Sequence, residues 1–251
     1  MVVSLIKDRD QIEGIKKSCD LLIETFRFIR DTIKEGQTPV QLDSKAKQFI
    51  TSRGGVPAFL GYGGFPASLC ISVNEAVIHG IPDGRPFQNG DVVGVDCGIN
   101  LAGYYSDCAF SFVIGSVSKE ISQLLTITKE SLYKGIDQAI VGNRIKDISK
   151  GVYRHVKPYG YGVVRSFCGH GVGLGVHEEP QVPNYPGGGP NPRLRPGMVL
   201  AIEPMINLGT DDVKVLPDNW TVVTKDGSIS AHFEHTIVIT SDGPEILTSW
   251  E

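Results

Sequence analysis

Basic clusters, long apolar runs and cysteine pairs are all missing from this sequence. Lysine and arginine number 24 against 28 acids, a net charge of -4, and nowhere gather into a patch. Nucleic acid and anionic membrane are therefore poor candidates as partners. The longest apolar runs fall far short of membrane-spanning length, and the N-terminal stretch MVVSLIKDRDQ has no signal-peptide pattern. Five cysteines (Cys19, Cys70, Cys97, Cys108, Cys168) form an odd set without a CxxC, which argues against a disulfide scaffold and fits a reduced, cytoplasmic enzyme. GxSxG, P-loop and HExxH patterns are absent too.

What the chain does have is repetition. Its 251 residues can bury a sizeable core, as one large domain or two small ones. From residue 9 to 34, Ile12, Ile15, Cys19, Leu22, Phe26, Ile29 and Ile33 recur at helical spacing. Gly36 ends that helix, and Thr38-Pro39-Val40-Gln41 reads as a capped start for a second, shorter one that stops at Gly54-Gly55. The order returns from Ser118: a long helix, a closing Gly142, then Asn143 expected to cap a shorter helix.

The strands repeat as well. Gly90 to Leu101 reads GDVVGVDCGINL and Gly197 to Leu208 reads GMVLAIEPMINL, which places Asp96 on Glu203 at an offset of 107. At an offset of 98, SLCISVNEAVIHGIP (68–82) lies on SFCGHGVGLGVHEEP (166–180), which places His79 on His177. This is the pattern of a duplicated helix-helix-hairpin unit. Two such units would pack their sheets side by side under the helices as one α+β domain spanning 1–251, with halves of about 1–115 and 116–251 and a pseudo-two-fold axis between them.

The hairpins pose a charge problem. A turn at Leu101-Ala102-Gly103, centred between 101 and 102, would set Asp96 directly opposite Asp107, roughly 5 Å apart at Cβ. Glu203 in MVLAIEPMI and Glu234 in SAHFEHTIVI are likewise lone acids in apolar strands. A single one could be solvated at a strand end or paired with a basic residue. Four cannot, because no Arg or Lys shares those strands. Four carboxylates and an imidazole, His170, make a ligand set for two divalent cations, hard enough for Mn, Fe or Co and acceptable to Zn. The glycines of FCGHGVGLGVHEEP let the strand come close to the ions.

His79 and His177, being repeat-related, would flank the same cleft and could hold a substrate carbonyl and amide; for His79 a satisfied turn or core histidine is the alternative. His232 shares strand parity with Glu234 and could stand behind the ligands. His155 lies on a helix face, and His235 has the opposite parity. Cys97 and Cys108, one residue beyond proposed ligands, turn to the core face. The tract YPGGGPNPRLRPG (185–197) reads as a surface loop.

With these residues in hand, the chain resembles the type I methionine aminopeptidases of the bacterial kind. The resemblance is carried by NEAVIHGIPDGR (74–85), VDCGINLAGYYSDCAFSF (95–112), FCGHGVGLGVHEEPQV (167–182), PGMVLAIEPM (196–205) and AHFEHTIVIT (231–240). It implies the pita-bread fold around a dinuclear site and removal of the initiator methionine from nascent chains whose second residue is small. It implies metal ligands at Asp96, Asp107, His170, Glu203 and Glu234, with Asp107 and Glu234 bridging two divalent ions (cobalt, manganese, iron or zinc). Glu203 would also take the proton of the attacking water, His177 would steady the carbonyl oxygen, and His79 would contact the scissile nitrogen. Tyr62, Phe65, Cys70 and Trp220 match the family's methionine pocket. Phe59 stands where many relatives have cysteine, and Val176 where phenylalanine is common.

The resemblance further implies a monovalent cation near Asn74 and Ser230, a cytoplasmic monomer and a transient ribosome contact. The eukaryotic zinc-binding extension and the type II helical insertion are not found in this sequence. Prolidase and aminopeptidase P, which share the fold and bring a further N-terminal domain, are the nearest alternative enzymes; a pita-bread binding module without catalysis is the alternative of another class.

Overall fold

The computed structural model describes residues 5–187 and 189–250. Residues 1–4 of the N-terminal stretch, Gly188 of the Gly-Pro tract and Glu251 lie outside the described residues. The first helix, α1 (Arg9–Thr32), begins in a reciprocal capping box between Asp8 and Gln11. It buries Ile15, Cys19, Leu22, Phe26 and Ile29, the apolar stripe expected from 3.6-residue spacing. The second, α2 (Pro39–Thr51), starts on the Thr38–Gln41 box with proline in its first turn.

Strands β1 (Val56–Pro57), β2 (Cys70–Val73) and β3 (Ala76–Ile78) lead into a long hairpin, β4 (Val92–Leu101) and β5 (Tyr104–Val113). β5 pairs with β4 along its whole length, while β1 and β2 pair with β4 along the other edge. Leu22, Phe26, Leu42 and Ile50 of the helices pack on Val93, Val95, Cys97 and Ile99 of β4.

The register of this hairpin corrects the sequence expectation. Ala102 and Gly103 form the turn, both at positive φ (54° and 91°), so Leu101 faces Tyr104 and Asp96 faces Ala109 rather than Asp107. Two central residues of that hand match the twist of the strands, and this moves the turn centre one residue along the chain. Asp107 lies opposite Gly98. The two acids remain on one face as diagonal neighbours, so the charge problem persists with a different geometry.

The second half opens with α3 (Lys119–Ile136), capped by the Ser118 hydroxyl, and α4 (Ile145–Val156). Asn143 does not cap α4, contrary to expectation. The Arg144 N–H at the cap position donates to Asp147, and the Lys146 N–H donates to the Asn191 side chain; Asn143 instead donates to the Gln138 carbonyl beyond α3. The Gly-Pro tract is thus tied down at Asn191, and its Leu194 is buried.

Strands β6 (Gly162–Val163), β7 (Gly169–Gly171), β8 (Glu178–Val182), β9 (Val199–Ile202) and β10 (Met205–Asn207) follow, then β11 (Val213–Val215), β12 (Val222–Thr224), β13 (Ser230–His232), β14 (His235–Thr240) and β15 (Gly243–Ile246). One sheet runs β15-β14-β9-β7-β8, while β13-β10-β6 and β11-β12-β3 form smaller ones. The repeat is structural. Ser72 of β2 pairs with Gly94 of β4, and His170 of β7 pairs with Ala201 of β9; these are the residues that the two sequence offsets superpose.

The halves meet along β5 and the β13–β14 segment. The Glu234 N–H donates to the Ala109 carbonyl at 2.9 Å, the Thr236 hydroxyl to the Asp107 carbonyl at 2.7 Å and the Ser111 hydroxyl to the His232 carbonyl at 2.9 Å. Among the described residues no helix is long and apolar enough to cross a membrane.

Candidate metal centre and cleft

The seam between the halves gathers the five residues singled out as ligands. Asp96 is on β4, Asp107 on β5 and His170 on β7, while Glu203 lies between β9 and β10 and Glu234 between β13 and β14. Donor atoms of Asp96, Asp107 and Glu234 lie within 4.8 Å of one another, and so do those of His170, Glu203 and Glu234. His170 Nε2 is 3.5 Å from Glu203 Oε1 and 3.8 Å from Asp107 Oδ2.

Each position has a local cause. The Thr236 hydroxyl accepts from the Asp107 N–H and donates to its carbonyl, which pins that residue of β5. Pro204 has no N–H to offer, so the strand breaks beside Glu203, whose carbonyl instead accepts from the buried Asn184 side chain at 3.0 Å. A Cβ on Gly169 would stand 2.3 Å from the Ala201 carbonyl oxygen, and one on Gly171 equally close to that of Glu179. The glycines beside His170 are therefore there for close backbone approach. His170 Nδ1 donates to the Gly171 carbonyl at 2.9 Å, a tautomer that leaves the Nε2 lone pair facing the acids.

The electrostatics state the need for a cation. Burial pushes Asp96 up to about 7 and Glu203 up to about 8. Burial, then neighbouring acids, hold Asp107 and Glu234 well above the usual carboxylate range. The same loss of water pushes His170 down to about 3. Asp96 Oδ1, Asp107 Oδ1 and Glu234 Oε1 are buried without a hydrogen-bond partner, and among the described residues no lysine or arginine lines the cleft. Buried acceptors without donors are what a hard divalent cation satisfies, and four carboxylates with one neutral imidazole fit manganese, iron, cobalt or zinc. His232 stands behind the cluster, its Nε2 3.5 Å from Glu203 Oε2.

A cavity of about 290 Å³ opens on this cluster. It is lined by all five acids and imidazole donors, by His79 and His177, and by Phe59, Tyr62, Phe65, Cys70 and Trp220. The five expected ligands, the two cleft histidines and the five expected pocket residues thus border one space. Phe167, Cys168 and Ile78 line it as well and were not foreseen; their signal was adjacency, since two open the FCGHG stretch and the third precedes His79. Phe65 meets Trp220 edge-on with ring centres 5.2 Å apart, and Val176 is buried with Phe59, Phe65 and Cys70.

The two remaining histidines reach the cleft differently. His79 follows β3 at φ 57° and stands edge-on to Phe167, its ring centre 5.7 Å away. Burial, with His232 and His177 adding to it, pushes His79 down to about 4, so its ring is neutral around pH 7. His177 is exposed at the rim, 5.1 Å from Tyr62 and 4.4 Å from His170 between ring centres. The odd spacing of His170 and His177 would point their rings to opposite faces of an unbroken strand, but β7 ends at Gly171, and an irregular stretch with Gly173 at φ 134° intervenes before β8. His177 also falls within 4.8 Å reach of Asp107 and His170; its exposure at the rim sets it apart from the buried donors.

His155 sits at the surface with Glu130, and His235 is buried against Tyr133 and Thr248. Cys97 and Cys108 are wholly buried. Asn74 and Ser230 adjoin, with the Ser230 N–H donating to the Asn74 carbonyl at 2.9 Å.

Comparison with known proteins agrees with this geometry. Residues 13–241 match the model of Metallopeptidase family M24. The chain is 48% identical to a methionine aminopeptidase of Clostridium perfringens, across 97% of this chain and 98% of that one. It superposes on the crystal structure of methionine aminopeptidase from Rickettsia prowazekii with a TM-score of 0.95 at 38% identity, covering 99% and 100% of the two chains. The prolidase from Pyrococcus horikoshii is similar at a TM-score of 0.80 and 26% identity, but only 64% of that chain is covered. The α+β fold is the pita-bread fold that these proteins share.

Proposed function

This chain belongs to the methionine aminopeptidases of Metallopeptidase family M24, and from that membership we infer that it is a metal-dependent aminopeptidase removing the N-terminal methionine of proteins and peptides whose second residue is small. The observation that carries the reading is the shared cavity: a buried cluster of four acids and one imidazole opens into the same 290 Å³ space as Phe59, Tyr62, Phe65, Cys70 and Trp220. An unbranched thioether fits such walls, whereas a charged or β-branched side chain does not. The prolidase reading is weaker, because that likeness leaves over a third of the longer chain unmatched. A binding module without catalysis would have no use for a complete donor set.

Asp96, Asp107, His170, Glu203 and Glu234 would hold two divalent ions. When bound, such ions supply Lewis-acid polarisation of the scissile carbonyl and make a nearby water more acidic. Glu203 takes a proton from the attacking water and returns it to the leaving amine. His177, at the rim, steadies the carbonyl oxygen as charge develops there. His79, neutral at working pH, holds the scissile nitrogen through its ring. The aromatic wall orients the methionine and keeps water from it.

The reading takes the whole chain as one catalytic domain of two halves, with a monovalent cation near the adjoining Asn74 and Ser230. Every site residue comes from a single chain, which suits a monomer, and nascent N-termini as substrates suit the cytoplasm and transient contact with ribosomes. Protein purified without added salts, analysed for metal and assayed on Met-Ala-Ser, Leu-Ala-Ser, Lys-Ala-Ser and Ala-Pro peptides, tests the reading. Cleavage of the methionine peptide alone is expected; comparable turnover of all four would overturn it.

A further inference from the structure

The stretch that presents His177 is irregular, glycine-rich and exposed at its tip, yet it is anchored from beneath. Glu178, the next residue, folds its carboxylate back under the turn. Its Oε1 accepts from the Leu174 N–H at 2.6 Å and from the Gly175 N–H at 2.8 Å, and its Oε2 accepts from Lys7 Nζ. The side chains of this ion pair are only 1% and 4% exposed. Lys7 is itself fixed, since its N–H donates to the carbonyl of Gly197, two residues before β9. The turn also packs tightly: a Cβ on Gly173 would stand 2.4 Å from Ile15 of α1 and 3.5 Å from the Lys7 side chain. The Tyr105 N–H donates to the Gly173 carbonyl at 2.8 Å, which joins the turn to β5.

We propose that Lys7 and Glu178 form a buried clamp that positions His177 for the reaction. A carboxylate that gathers two successive N–H groups of a turn sets the direction in which the chain leaves that turn, and His177 is the residue that leaves it toward the cleft. Val176, buried with Phe59 and Phe65 behind the cavity wall, is set by the same turn. Neither clamp residue borders the cavity, so they act on a substrate there only through the turn. The clamp reaches from the segment before α1 to the second half of the chain, so the N-terminal segment takes part in catalytic geometry without entering the cleft. The inference rests on the reading of His177 as the group that steadies the carbonyl oxygen.

A double-mutant cycle separates positioning from general support. Lys7→Met and Lys7→Met/Glu178→Gln are each made in the parent and in His177→Ala. Removing one partner of a buried pair leaves a bare charge that can unfold the protein, whereas the double variant is neutral and keeps the Oε1 acceptor. The double variant therefore carries the test should Lys7→Met fail to fold. In the parent, the clamp variants are expected to lower kcat on Met-Ala-Ser by roughly tenfold with bound metal unchanged, and in His177→Ala to lower it less than about twofold. Amide exchange at Leu174 and Gly175 is expected to quicken in both backgrounds. Equal losses in both backgrounds, or a folded double variant with parental kcat and parental exchange, would overturn the clamp. A His177→Ala enzyme as fast as the parent would instead sink the role of His177, and the clamp's purpose with it.

Discussion

The two copies of the inner strand, Gly90–Leu101 and Gly197–Leu208, pair with corresponding strands, β4 with β2 and β5 and β9 with β7 and β14, and build different things. Two of their differences decide this. Cys97 in the first copy stands where Pro204 stands in the second, and Gly98 where Met205 stands. With Cys97 the strand β4 runs unbroken for 10 residues; with Pro204 the ladder stops between β9 and β10. A Cβ on Gly98 would lie 2.7 Å from the Phe59 ring, so that glycine leaves room for the aromatic wall of the cavity. Met205 instead is fully buried among Val77, Ile78, Val164 and Val222. The duplicated scaffold delivers one acid from each copy, Asp96 and Glu203, and the departures from symmetry let the first half supply Phe59, Tyr62 and Phe65 to the pocket, to which the second half adds Phe167 and Trp220. Chemistry belongs to the axis and most of the aromatic wall to the first half.

The largest effect expected from breaking this division is at His177, the histidine of the second copy. His177→Ala should keep its metal and still bind a methionine-like ligand, yet lose roughly two to three orders of magnitude in kcat; single-turnover rates beside metal analysis check this. Next comes Met205→Ala, which should empty part of the small core that Val77 and Ile78 share with Val164 and Val222. It should cost about 2–5 kcal/mol of stability, read as a fall in Tm, while KM for methionine peptides stays near the parent's. Gly98→Ala should do the reverse. Its new methyl pushes Phe59 into the cavity, so KM for Met-Ala-Ser should rise roughly tenfold while the metal content holds.

The smallest effect is one of pH, in protein stripped by chelation. Asp96 and Glu203 bind a proton more tightly folded than unfolded, being raised to about 7 and about 8 by burial. The stability this confers is fully present below the ordinary carboxylate range, near pH 4, and is lost as pH climbs through 7 and 8. Stripped protein should therefore melt lower at pH 9 than at pH 7, a window in which the depressed His170 and His79 stay neutral and add little, and loading with a divalent ion should abolish the trend. A thermal scan across pH in both states measures it.

Much of this was legible in the sequence because the repeat forces it. The helix cap at Thr38, the start of α3 near Ser118, the apolar stripe of α1 and the alignments of Asp96 with Glu203 and of His79 with His177 follow from local chemistry and constant offsets. The hairpin register did not. A turn of Ala102 and Gly103, both at positive φ, is favoured by strand twist, whereas the charge argument cared only that both acids share a face, which two registers satisfy. The role of Asn191 at the start of α4 was hidden because the capping side chain comes from 45 residues away. The Lys7–Glu178 pair spans 171 residues and leaves no mark in local spacing. Phe167 and Cys168 went unforeseen because a Gly-rich stretch does not say which of its larger residues face the cavity.

The central claim is that the acids of the two copies exist to hold metal and that turnover depends on it. Calorimetric titration of manganese or cobalt into chelated parent and chelated Asp107→Asn, with turnover of Met-Ala-Ser followed in the same samples, tests this most directly. The account predicts that the chelated parent is inactive, takes up the ion and regains its rate, while Asp107→Asn loses most of its binding and stays inactive. A chelated parent that cleaves Met-Ala-Ser at full rate, or an Asp107→Asn variant that binds the ion as the parent does, would contradict it.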